Sequence, residues 1–182
     1  VVFISIIVLF SIVFALLTNV DIMTSLFTIA SASSTTGLSF IDLGNLAVNA
    51  KMLLFVLMFI GGSTSSTAGG VKIMNIIVFI KSVPWAVRGV IIGKLSRLVV
   101  RGKELTYIDI YAISLFIIIA IIIIVGFAFI FTSFGFSLTD SVFALTSGLS
   151  NTGLYVGITN LYLPIILKII MILVMIVGRI GI

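Results

Sequence analysis

Phe27 to Leu38 reads FTIASASSTTGL, and Phe143 to Leu154 reads FALTSGLSNTGL, 116 positions further on (Gly153 against Gly37). Both copies lie between long apolar runs, so a polar turn ending in Thr-Gly-Leu is embedded twice in a chain that otherwise avoids water. Backbone that is neither helix nor closed barrel persists at bilayer depth only inside protein or along a water-filled path. The doubled loop therefore restricts the chain to a membrane architecture with two equivalent re-entrant turns, and it points to an ion route.

Composition agrees. A chain with 62% hydrophobic and 8% charged residues and a mean hydropathy of +1.49 reads as an integral membrane protein. It holds no histidine or cysteine, and its acids (Asp21, Asp42, Glu104, Asp109, Asp140) are scattered. No His/Cys metal site and no Cys or His nucleophile can be assembled from these residues, so the expectation is a protein that is not an enzyme and binds no cofactor covalently. Val1 and Ile182 both lie inside apolar runs, which reads as a piece of a longer polypeptide.

Val1 to Leu17 is free of charge and, at about 1.5 Å per residue, reaches roughly 25 Å, most of a bilayer core. Asp21 to Ser34 is too short and too rich in hydroxyls to span; it suits a half-helix that dips in and returns through Thr35 to Ser39. From Lys51 to Val83 the chain is mostly apolar, about 50 Å if wholly helical against a core of about 30 Å, so it must break. The break is written at Gly61 to Gly70 (GGSTSSTAGG), where glycines and hydroxyls favour non-helical backbone and supply groups to satisfy it.

Pro84 to Lys103 carries Arg88, Lys94, Arg97, Arg101 and Lys103, which places this connection in the cytoplasm by the positive-inside rule. By parity, both re-entrant loops and Asp21, Asp42 and Asp140 face the outer side. Tyr111 to Phe131 predicts a spanning helix, Leu138 to Ser147 a second half-helix, and Leu161 to Ile182 a last helix with Pro164 in its first turn. Lys51 and Met58 to Gly61 match Lys168 and Met175 to Gly178 at an offset of 117. The predicted fold is thus all-α and membrane-integral. Two parallel helix, pore-loop, helix repeats (1–83 and 107–182) are joined by a basic connection (84–106), with the second helix of the first repeat broken by the Gly-rich intramembrane loop. Parallel repeats can surround an axis along the membrane normal, the geometry of a pore.

Thr35, Thr36, Gly37 and Leu38, with Ser150, Asn151, Thr152, Gly153 and Leu154, are the candidate ion filter. Glycine lets backbone carbonyls turn toward an axis, where a ring of them replaces the hydration shell of an alkali cation. The preceding half-helices aim their negative dipole ends at the same place. Gly61, Gly62, Ser63, Thr64, Ser65, Ser66, Thr67, Ala68, Gly69 and Gly70 form the candidate gating segment. They lack the Gly-Lys-[Ser/Thr] ending and the preceding strand of a phosphate loop. A plain linker is the bland alternative. Arg179, deep in the last helix, is costly enough in a membrane to suggest a role locking that segment or repelling cations, against simple snorkelling to the surface. Lys72 has the same two readings. The basic cluster suits topology and lipid headgroups, or a dock for a cytoplasmic subunit, and not nucleic acid.

In SSTTGLS (Ser33 to Ser39), GGSTSSTAGGVK (Gly61 to Lys72), SNTGL (Ser150 to Leu154) and MIVGRIG (Met175 to Gly181), the chain resembles the Trk/Ktr superfamily (TrkH/KtrB-like) of potassium transporters over essentially its whole length. The resemblance implies the third and fourth of four potassium-channel-like pore-loop repeats. It implies potassium as the transported ion, with sodium as the alternative, held at the carbonyls of Thr36, Gly37, Thr152 and Gly153. It also implies that Gly61 to Gly70 is an intramembrane gating loop with Arg179 near it. Partners implied are the lipid bilayer, a second copy in a homodimer, and a cytoplasmic nucleotide-binding regulatory subunit (TrkA/KtrA-like), at the plasma membrane. The other classes open to the sequence are a secondary carrier using the broken helix as its solute site and a non-conducting membrane scaffold.

Overall fold

The computed structural model describes residues 2–62, 69–92, 98–100, 103–159 and 163–180. Helix α1 (Val2–Thr18) leads through Asn19, in left-handed backbone at φ 52°, to α2 (Ile22–Ser33). Asp21 caps α2: its carboxylate accepts from the Met23 N–H at 3.2 Å. A single 3-10 turn (Leu43–Asn45), capped by Asp42, precedes α3 (Val48–Ile60), and α4 (Ile73–Ile92) follows. Strands β1 (Leu98–Val100) and β2 (Lys103–Leu105) pair antiparallel with Val99 opposite Glu104. Then come α5 (Tyr107–Ser133), α6 (Leu138–Leu149) and α7 (Ile165–Ile180).

The half-helices α2 and α6 are largely buried and lie between the long ones. α2 packs on α1 and α3; α6 packs on α5, α7 and, across from the other half of the chain, α3. One apolar core, including Phe14, Ile29, Leu54, Met58, Phe131, Phe143, Leu145, Leu167 and Val174, runs through both halves. Its contacts use small residues: Ala32, Ala50 and Ala128 are buried, and Gly178 lies so close to Leu149 that a Cβ there would overlap the Leu149 carbonyl oxygen. Where apolar solvent gives helices little hydrophobic reason to associate, such close backbone approach is what holds them together.

α5 buries Ile110, Ile117, Ala120, Ile124, Ala128 and Phe131 on one face, while Ile108, Leu115, Ile122 and Phe129 on the other are exposed. A helix apolar on every side and about 40 Å long suits a bilayer crossing. Among the described residues it is the one helix long and apolar enough to cross by itself; α1, α2 and α3 are apolar but shorter.

Four details differ from the sequence reading. Among the described residues the regular elements are helical except for the β1–β2 pair, which an all-α expectation omits; it lies in the basic connection, where Leu98 and Val99 pair with Leu105 and Glu104. Of that connection's cations, Lys94, Arg97 and Arg101 lie outside the described residues. α4 continues through Pro84 to Ile92 instead of ending at the proline, at the cost of one backbone hydrogen bond. α5 is longer at both ends than Tyr111 to Phe131. α7 begins at Ile165, so Pro164 stands just before the helix and not in its first turn, its carbonyl accepting from the Lys168 N–H at 3.1 Å; the expected start at Leu161 lies outside the described residues.

Candidate functional site

The two Thr-Gly loops share most of their hydrogen bonds at equivalent positions, although the serine hydroxyl of each takes a backbone N–H one residue further along in the first loop than in the second. In the first, the Thr36 N–H donates to the Ser31 carbonyl at 2.9 Å and the Leu38 N–H to Ser31 Oγ at 2.8 Å. In the second, the Thr152 N–H donates to the Ser147 carbonyl at 2.9 Å and the Gly153 N–H to Ser147 Oγ at 3.1 Å. Ser34 and Thr36 share a hydroxyl hydrogen bond of 2.7 Å; Ser150 and Thr152 share one of 2.6 Å. Thr35 and Asn151 are both left-handed, at φ 56° and 53°, as are Gly37 and Gly153 at φ 81° and 90°. A left-handed residue followed two positions later by a left-handed glycine bends the backbone back on itself without a Cβ in the way.

The loops meet. A Cβ on Gly37 would overlap the Thr152 carbonyl oxygen and stand 3.3 Å from Gly153 Cα. Thr35 to Leu38 and Ser150 to Leu154 are thus brought together at the C-terminal ends of α2 and α6, whose negative dipole ends favour a cation there. Beside them opens a cleft of about 270 Å³ lined by Gly37, Ser39, Asp42, Gly153, Leu154 and Tyr155. Asp42 accepts from the Gly44 N–H at 3.0 Å and from Asn45 Nδ2 at 2.7 Å, so its carboxylate is held at the rim of that cleft.

Of the Gly-rich segment, Gly61, Gly62, Gly69 and Gly70 are described; Ser63 to Ala68 lie outside the described residues. The two ends close on each other. A Cβ on Gly70 would stand 2.9 Å from Gly61 Cα, the Val71 N–H donates to the Phe59 carbonyl at 3.0 Å, and the Ile73 N–H donates to the Gly62 carbonyl at 3.2 Å. This neck touches both Thr-Gly loops: the Gly69 N–H donates to Thr35 Oγ1 at 2.9 Å, and a Cβ on Gly69 would overlap the Ser150 carbonyl oxygen. Arg179 is exposed in the last turn of α7, next to the Gly178 that packs on Leu149. Lys72 is half-buried at φ 68°.

One pair escaped the sequence reading. Lys51, whose side chain is 8% exposed, donates from Nζ to Asp140 Oδ1 at 2.7 Å and to the Gly44 carbonyl at 2.8 Å. This ion pair joins α3 of the first half to the first turn of α6 in the second, and α6 carries the second Thr-Gly loop. The sequence signal was faint: Asp140 is assigned to the outer side, and Lys51 is a lone charge at the start of an apolar run.

The whole chain, residues 1–182, matches the family model described as TrkH, cation transport protein. The chain belongs to the TrkH family. It is 34% identical over 177 residues to an uncharacterized cation transporter of Methanocaldococcus jannaschii, covering 94% of this chain and 37% of that one. It is 29% identical over 147 residues to Ktr system potassium uptake protein B of Bacillus subtilis, covering 81% of this chain and 32% of that one. In structure it is similar to the potassium transporter TrkH from Vibrio parahaemolyticus, with a TM-score of 0.80 and 23% identity over 98% of this chain and 41% of that one. The chain therefore spans about a third of the length of these curated relatives. The TrkH family is one of membrane cation transporters and not of enzymes.

Proposed function

We propose that this chain supplies two of the filter loops of a potassium uptake pathway, with sodium as the alternative ion. The observation that carries the proposal is the contact of the two Thr-Gly loops at the convergent ends of α2 and α6. Carbonyls of Thr36, Gly37, Thr152 and Gly153 hold the dehydrated ion, and the remaining filter loops come from the rest of the longer protein that the relatives' lengths suggest. Two parallel pore-loop repeats, with the second helix of the first broken between α3 and α4, account for the matched hydrogen bonds of the two loops. The segment Gly61 to Gly70 gates the pathway from the cytoplasmic side, with Arg179 beside it. The 84–106 connection faces the cytoplasm, where a nucleotide-binding regulatory subunit docks on a homodimer in the plasma membrane. Substituting Gly37→Asp in the full-length protein puts a side chain into the Thr152 carbonyl and a strained φ at the filter. Rubidium-tracer uptake in a potassium-requiring host is then lost; uptake with unaltered ion dependence would refute the filter.

A further inference from the structure

Thr35 sits where its sequence mate does not have the same difficulty. Both Thr35 and Asn151 are left-handed. Asparagine tolerates that conformation, whereas a β-branched residue there is an outlier that persists only when its surroundings compensate. In the second loop the position carries the tolerant residue; in the first it carries the strained one. What Thr35 gains is visible: its Oγ1 accepts the Gly69 N–H at 2.9 Å. Gly69 is itself pressed against the Ser150 carbonyl of the other loop, at a distance that admits no Cβ. Gly69 is therefore a backbone spacer between the two filter loops, buried, and tethered to one of them by a single side-chain hydroxyl.

We propose that Thr35 is a positioning residue for ion discrimination: its hydroxyl fixes Gly69 as the spacer that sets how far apart the two Thr-Gly loops stand. The proposal rests on the filter reading above and adds to it that the first loop's geometry is held from outside the loop. Loss of the acceptor leaves the Gly69 N–H unpaired in a buried place and frees the first loop to move relative to Ser150. A looser ring accommodates the smaller sodium ion better than a fixed one.

Three variants of the full-length protein separate the hydroxyl from the backbone strain. Thr35→Ser keeps the acceptor and reduces the strain. Thr35→Val keeps the strain and removes the acceptor. Thr35→Gly removes both. The readout is the ratio of rubidium to sodium flux in proteoliposomes, which does not depend on how much protein folds. The expected result is a ratio lowered about fivefold in Thr35→Val and Thr35→Gly, equal to about 1 kcal/mol at 1.4 kcal/mol per tenfold, and retained in Thr35→Ser. A wild-type ratio in Thr35→Gly, or a ratio that tracks strain so that Val alone is impaired, overturns the proposal. Gly37→Asp measured alongside keeps the two ideas apart: if Gly37→Asp abolishes flux while the Thr35 series is flat, the filter stands and the tether falls.

Discussion

Removing Lys51 alone should damage the protein more than removing both members of its ion pair. The Lys51 side chain is 8% exposed and that of Asp140 24%, at 2.7 Å. Breaking a buried pair by deleting one partner costs about 3–5 kcal/mol, because the other charge is left desolvated and unpaired. Asp140 keeps part of its surface and lies in the first turn of α6, where a helix N-terminus favours a carboxylate by about 0.3–1 kcal/mol, so Lys51→Met belongs at the low end, about 3 kcal/mol. Asp140→Leu leaves the ammonium with only the Gly44 carbonyl and should cost a similar amount. The double variant replaces a buried pair by apolar groups and should lose about 1 kcal/mol or less. Equilibrium unfolding of the full-length protein in mixed detergent micelles gives all four corners of the cycle. A coupling free energy below about 0.5 kcal/mol, the usual additivity of independent sites, would refute the inference that this contact ties the two halves together.

Two glycines should respond in opposite ways. Helix propensity alone makes Gly→Ala favourable by about 1 kcal/mol, and a Cβ on Gly126 in α5 would meet no atom within 4 Å, so Gly126→Ala should be neutral or stabilising in a thermal unfolding assay. Gly178→Ala must push α7 away from the Leu149 carbonyl, and overpacking of about 1–3 kcal/mol outweighs the propensity gain. Equal midpoints for the two variants would count against the α6–α7 packing. The serines that hold the loops should also differ. Ser147 Oγ serves both the Gly153 N–H and the Leu154 carbonyl, while Ser31 Oγ serves the Leu38 N–H. Ser147→Ala should therefore raise the half-saturating rubidium concentration more than Ser31→Ala, by about 25-fold against about fivefold at about 1 kcal/mol per hydrogen bond.

What the sequence disclosed was local. Asp21 as a helix start, the hydroxyl-rich half-helix after it and the Thr-Gly turn are contiguous signals, and α2 (Ile22–Ser33) falls within the expected Asp21 to Ser34. The family was legible from four short motifs in order, and the whole-chain family match supports it. The hidden features depend on separation in the chain. Lys51 and Asp140 are 89 residues apart, and Thr35 and Gly69 are 34 apart. Nothing in either neighbourhood says that one serves the other. Pro84 misled because a proline in an apolar helix is punished less when packing carries the helix on. The β1–β2 hairpin stayed hidden because its six residues lie inside a cationic stretch whose charges speak first to topology.

Equilibrium binding of tracer rubidium to the purified full-length protein, in competition with potassium and sodium, bears most directly on the paired Thr-Gly loops. Potassium should displace the tracer at lower concentration than sodium, and Gly37→Ala together with Gly153→Ala should abolish saturable binding while the protein still unfolds cooperatively. Saturable, potassium-preferring binding that survives both substitutions would place the ion elsewhere and contradict the assignment of these loops.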